Sequence, residues 1–183
     1  PLVCVGCGGC IPICPKNAID FKNLTSKQLA ATLRGLLENK KTDEIRVMAF
    51  IEKTIAYTGV DFLGLERAHY PPNVLVVPMP SAAFVGLQHL LQAFALGADG
   101  VIIIEGQHNI DEKFMKERIG AFKSSLKAFG IEGLRILYRL VELPAYKKTM
   151  EIFREHASMV HDLGPLPDSV RNNIEKKIFL LEK

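Results

Sequence analysis

All four cysteines of this 183-residue chain lie in its first fourteen positions, at Cys4, Cys7, Cys10 and Cys14, and none occurs later. A disulfide framework spreads cysteines through a fold so that each bridge ties distant segments together. A cluster at one end cannot do this. Thiols gathered so closely read as ligands for a metal, kept reduced in a cytoplasmic environment. The segment around them, residues 1–22, is dense in Cys, Gly and Pro and has neither a helical nor a strand period. That is expected where a metal, rather than an apolar core, organises the backbone.

The spacing is Cys4-x2-Cys7-x2-Cys10-x3-Cys14-Pro15. Such a run holds iron–sulfur clusters in bacterial ferredoxins. A cubane needs thiolates arriving from several directions, so the loop must wind tightly round it. Gly6, Gly8 and Gly9 lie between the ligands, where glycine tolerates positive φ and lets backbone N–H groups approach the sulfurs. Pro15 then turns the chain away. Zinc is the competing reading, but structural zinc usually takes two ligand pairs separated by a long gap, and no such gap occurs here. The expectation is one [4Fe-4S] cluster on Cys4, Cys7, Cys10 and Cys14. In two-cluster ferredoxins the fourth cysteine of a run serves the other cluster, so Cys14 is also open to a second cluster upstream. The chain starts at Pro1 with no methionine before it, and is expected to be the C-terminal part of a longer protein.

A composition of 48% hydrophobic and 23% charged residues excludes a disordered or coiled-coil chain. The net charge of +3, without interleaved basic and aromatic residues, argues against nucleic acid as a partner. The most apolar stretch, residues 81–98, is interrupted by Gln88, His89 and Gln92 and is too short and polar to span a bilayer. Residues 24–41 read as a connecting helix, capped by Thr25 or Ser26, with Leu29, Leu33, Leu36 and Leu37 as its stripe. Apolar runs then alternate with helical patterns. Strands are expected at 45–51, 74–79, 100–104 and 134–141, and helices at 54–69, 81–96, 109–129 and 145–163. Asn109 is expected to cap the third of these helices.

This alternation implies a parallel sheet with helices on both faces. Pro78 assigns the second strand to an edge. Right-handed crossovers then favour an α/β fold with a four-stranded, doubly wound, flavodoxin-like sheet of order 2-1-3-4. The expected organisation is an iron–sulfur segment at 1–22, a connecting helix within 23–44, the α/β domain at 45–165 and an amphipathic helix at 166–183. The last helix has an apolar stripe of Val170, Ile174, Ile178 and Leu181, with Arg171, Glu175 and Lys176 on the remainder. It either packs on the chain's own core or docks on a neighbouring subunit.

Open parallel sheets bind ligands beyond the carboxyl ends of the strands, where the strand order reverses. That point lies between the first and third strands. It gathers Glu52, Lys53 and Thr54 with Glu105, Gly106, Gln107 and His108, flanked by Pro80 and Ser81. No dinucleotide or P-loop fingerprint occurs. Ser81 and His108 lack the nucleophile-elbow context of a hydrolase. No catalytic residue is assigned.

Several stretches of residues 50–165 are more specific: Tyr57-Thr58-Gly59-Val60-Asp61 with Gly64 and Arg67, Tyr70-Pro71-Pro72-Asn73-Val74, Met79-Pro80-Ser81, Gly97-Ala98-Asp99-Gly100-Val101, Gly106-Gln107-His108 and Leu163-Gly164-Pro165. Here the chain resembles the delta subunit of methyl-viologen-reducing hydrogenase. Set behind a ferredoxin-type run, the domain resembles the C-terminal region of heterodisulfide reductase A-like proteins. The B subunit of quinone-interacting membrane-bound oxidoreductases is similar in arrangement. The resemblance implies a [2Fe-2S] site in family members, with cysteines where this chain has Glu52, Ile55, Pro80, Gln107 and Glu112. None of these supplies a thiolate, so no [2Fe-2S] cluster is expected.

The resemblance implies an electron-transfer module of a multi-subunit oxidoreductase, a subunit or fragment rather than a complete enzyme. Its partners would be a flavin-bearing heterodisulfide reductase A-like region and hydrogenase or quinone-linked subunits, with any membrane attachment made through them. The alternatives are a redox-silent adaptor and an α/β domain that binds a flavin or another small molecule in the crevice.

Overall fold

The computed structural model describes residues 4–41, 43–106, 110–142 and 146–181. Helix α1 (Ser26–Leu37) starts at the expected cap. The Thr25 hydroxyl accepts the Gln28 N–H, and the Gln28 side chain accepts the Thr25 N–H in return. Leu29, Leu33 and Leu37 form its buried stripe. There follow β1 (Val47–Glu52), α2 (Ala56–Leu65), β2 (Val74–Met79), a 3-10 turn (Ala82–Phe84) and α3 (Leu87–Leu96). After these come β3 (Gly100–Gly106), α4 (Glu112–Lys127), β4 (Ile136–Val141), α5 (Tyr146–Leu163) and α6 (Asp168–Leu181).

The four strands pair in parallel in the order β2-β1-β3-β4, as expected. Side chains alternate across a strand, and β1 divides accordingly. Met48 and Phe50 enter one apolar cluster, with α3 and α4, while Val47, Ala49 and Ile51 enter the other, with α2 and α5. In β3, Val101 and Ile103 join the first cluster, and Ile102 and Ile104 the second. Burial on both faces explains why these strands read as unbroken apolar runs. Pro78 sits opposite Ile51 on the edge strand β2, where its missing N–H faces no further strand.

Two expectations are corrected. Residues 81–96 do not form one helix but a 3-10 turn and α3, separated by Val85 and Gly86. The apolar period runs through this break because both halves are buried. What divides them is side chains from elsewhere, described below. Helix α4 is capped by Asp111, whose carboxylate accepts the Phe114 N–H at 2.7 Å. Asn109, like Gln107 and His108, lies outside the described residues.

Of the two readings of the tail, its described part fits packing on the chain's own core. Arg171, off the apolar stripe, is also buried: it is 9% exposed and its Nη2 meets the Asp99 carboxylate at 2.5 Å. Leu166 and Ile174 are buried in the same core cluster as α3, and Val170 packs against it. This part of α6 is therefore core. The side chains of Ile178 and Leu181 lie outside the described part.

Candidate metal centre

The cysteine segment is wound by successive turns. The N–H of Ile11 donates to Gly8, that of Cys14 to Ile11 and that of Asn17 to Cys14, at 3.0–3.2 Å. Gly6 and Gly8 take positive φ, +70° and +75°. At Gly8 the need for glycine is also spatial, since a Cβ would fall 2.4 Å from the Phe21 ring. The Sγ of Cys14 accepts the Ala18 N–H at 3.4 Å. That N–H, then the Lys16 N–H, holds the Cys14 thiol below its usual range, which favours the ligating thiolate.

The loop is fastened to the α/β domain through residues 81–86. Glu105, buried at the end of β3, accepts the Ala82 N–H at 2.6 Å. The Ser81 hydroxyl accepts the Ala83 N–H at 3.1 Å and donates to the Cys7 carbonyl at 2.7 Å. Phe84 packs its ring 5.7 Å from that of Phe21, and Ile11 is buried in the main core cluster. Gly86 admits Pro12, whose Cβ would stand 2.4 Å from any Cβ at that position. These contacts are the physical reason for the break between the 3-10 turn and α3.

Ser81→Ala would leave the Cys7 carbonyl and the Ala83 N–H unpaired in a site where Ser81 is 1% exposed. The expected loss of stability is about 1–2 kcal/mol, measured by denaturant unfolding. An unchanged midpoint would show that the hydroxyl does not hold the loop.

The crevice residues divide. Lys53, Thr54, Pro80 and Ser81 line a cleft of about 290 Å³ with Val5, Gly6 and Cys7. Glu52 does not line it. Its carboxylate accepts the N–H groups of Thr54, Ile55 and Ala56, and the Thr54 hydroxyl, so it closes the N-terminus of α2. Gly106 lies against Ile55 and Glu52, where a Cβ would approach to 2.5 and 2.8 Å. The gap expected between β1 and β3 is thus filled, and the open space lies under the cysteine loop beside β1 and β2. Glu112 is the first residue of α4 and pairs with Lys116 at 2.8 Å.

Among the described residues, no three side chains of the Cys, His, Asp or Glu type stand close enough together to hold a metal. The fit for a cluster lies in the donor set, four thiols on one tightly turned loop, and in the N–H that Cys14 already accepts. It lies also in polar groups beneath the loop that lack partners. Arg118 Nε and His89 Nε2 are buried without a hydrogen-bond partner among the described residues. Neither residue was singled out in the sequence as a site residue, because no local pattern distinguishes a buried arginine on α4 from a solvated one.

Residues 47–164 match the model of the family described as methyl-viologen-reducing hydrogenase, delta subunit. The chain belongs to this family. The delta-subunit match covers the whole sheet, and its limits agree with the 50–165 stretch in which the sequence shows the resemblance. Among relatives, the iron-sulfur D subunit of the vhu F420-non-reducing hydrogenase of Methanopyrus kandleri is 30% identical, over 68% of this chain and 98% of that protein. The A subunit of the ferredoxin:CoB-CoM heterodisulfide reductase of Methanosarcina mazei is 27% identical over 93% of this chain. That alignment reaches beyond the delta-subunit region, and the chain spans about a quarter (26%) of that relative's length.

Proposed function

We propose that this chain is an electron-transfer module of a multi-subunit oxidoreductase. A [4Fe-4S] cluster on Cys4, Cys7, Cys10 and Cys14 would relay single electrons, and the α/β domain would dock partner subunits. The observation that carries this reading is the fastening of a ferredoxin-type cysteine loop to a domain of the delta family by Ser81 and the Glu105-held turn. The names of relatives support it further: one is the iron-sulfur component of a hydrogenase, and another is part of a heterodisulfide reductase.

When bound, the cluster supplies one-electron chemistry. The chain's own residues do the rest. Gly6 and Gly8 provide the turns, Ser81 fixes the loop through the Cys7 carbonyl, and Ile11 anchors its underside in the core. Cys4 and Cys10 are exposed, and Val5 and Ile13 of the same loop are 79% and 68% exposed. An apolar rim of this kind suits contact with a redox partner. The partners would be a flavin-bearing heterodisulfide reductase A-like region and hydrogenase or quinone-linked subunits. We place the module in the cytoplasm; among the described residues no helix is long and apolar enough to cross a membrane.

Residues 45–165 would bind no [2Fe-2S] cluster, since Glu52, Ile55, Pro80, Gln107 and Glu112 offer no thiolate. Anaerobically prepared protein is expected to contain iron and acid-labile sulfide in equal amounts and to give a cluster signal by EPR after reduction. Replacing Cys7 and Cys10 by Ser should abolish that signal. Stoichiometric zinc without iron would overturn the reading.

A further inference from the structure

Arg118 carries a positive charge into the protein and has no counter-ion among the described residues. It projects from α4 toward the segment that fastens the cysteine loop. Its Nη2 lies 3.4 Å from the Val85 carbonyl, and its guanidinium carbon lies 5.3 Å from the centre of the Phe122 ring. Val85 adjoins Gly86, against which Pro12 of the loop is packed. The buried Nε has no hydrogen-bond partner among the described residues, and none of the ion pairs among them engages the guanidinium. Burial pulls the Arg118 guanidinium below its usual range, while negative charge on nearby Cys7 acts in the opposite direction. The second orphan, His89 Nε2, belongs to a ring stacked on Phe84, the residue that abuts Gly8.

A half-buried cation without an anion is costly. Arg118 meets Val85, and Ser81 of the same short segment holds Cys7, so thiolates surrounding a cluster on that loop would supply the compensating negative charge. We propose that Arg118 tunes the cluster, its positive charge raising the reduction potential of a cluster held by the cysteine loop. This inference rests on the reading that the loop binds a cluster. One electron from a reduced flavin on the donor side, or from dithionite in vitro, would add one negative charge to a thiolate-bound cluster and would break no bond. A fixed positive charge nearby stabilises the reduced form more than the oxidised form. Cluster potentials are set by charge and hydrogen bonding of this kind.

The test compares the wild type with Arg118→Gln and Arg118→Lys by iron content, thermal unfolding and EPR-monitored redox titration. Arg118→Gln is expected to keep its iron while its reduction equilibrium becomes at least tenfold less favourable, a downward shift of about 59 mV for one electron. Arg118→Lys should keep most of the wild-type potential. If Arg118→Gln does not fold, Arg118→Met, which keeps an apolar stem near Phe122, is titrated instead. An unchanged potential in an iron-bearing neutral variant overturns the inference and leaves the cluster reading intact. So does loss of folding or iron in both neutral variants but not in Arg118→Lys, which would make the charge structural. A wild type without iron overturns the cluster reading itself, and this inference with it.

Discussion

Replacing Asp99 by Ala is expected to destabilise the protein by about 3–5 kcal/mol, a large part of the roughly 5–15 kcal/mol that holds a typical domain together. The carboxylate is fully buried and accepts four hydrogen bonds. Oδ2 takes the Lys40 ammonium at 2.6 Å and the Arg46 N–H at 2.9 Å. Oδ1 takes the Leu166 N–H at 2.9 Å and Arg171 Nη2 at 2.5 Å. One side chain at the start of β3 thus joins the end of the connecting helix, the entry to β1 and the C-terminal helix. Removing it orphans two cations whose side chains are each 11% exposed.

The two cations will respond differently. Burial already pulls the Lys40 ammonium below its ordinary value, and Asp99 offsets part of that pull. Without Asp99, Lys40 can shed its proton, whereas Arg171 cannot. Arg171 also donates to the Phe94 and Ala98 carbonyls, so it is held where its counter-ion was. A double-mutant cycle with Arg171→Met is the check. Asp99→Ala in the Arg171→Met background should cost much less than in the wild type. Equal losses in both backgrounds would show that the pair is not coupled.

The second large effect is on acid stability. His89 and His156 are each 1% exposed, and burial depresses both to a pKa of about 4 from the usual 6.5. For His89, the negative charge of Asp20 acts upward and Arg118 downward; for His156, Lys123 and Arg139 act downward. Above pH 6.5 both rings are neutral in the folded and unfolded chains and contribute no slope. As pH falls from 6.5 toward 4 the unfolded chain takes up protons that the folded chain refuses, so stability falls through that window and levels off below it. At pH 5 the loss is about 2 kcal/mol for each histidine.

The hydrogen bonds give the reason. His89 Nδ1 accepts the Gly86 N–H at 3.1 Å, so a proton there would break the bond that starts α3. His156 Nε2 lies 3.3 Å from the Arg135 carbonyl, and a second proton would fall on Nδ1, which is buried without a partner among the described residues. Melting temperature measured between pH 7 and pH 5 should drop in the wild type. His89→Gln and His156→Gln should each remove about half of the dependence. A flat profile in the wild type would overturn the assignment.

Much was legible in the chain itself. Strand order followed from four apolar runs alternating with helical patterns, because βαβ crossovers have one hand and because Pro78 can sit only where no strand needs its N–H. Cysteine spacing singled out the candidate metal-binding segment, since that pattern is local. The same holds for the cap at Thr25, whose bond to the Gln28 N–H lies within one helical turn. Periodicity failed where partners are distant in sequence. Ser81 answers to Cys7, 74 residues away, and Ala82 to Glu105, 23 residues away, so an apolar run that reads as one helix is divided in two. Arg171 reads only as a charged residue off the apolar stripe until Asp99, 72 residues earlier, is placed beside it. A sequence shows which residues are apolar, turning or charged and at what local period. Only the folded chain decides which charge meets which, because burial and long-range pairing are properties of the packed whole. That is why the cysteines were visible at once, and the residues that hold and face them were not.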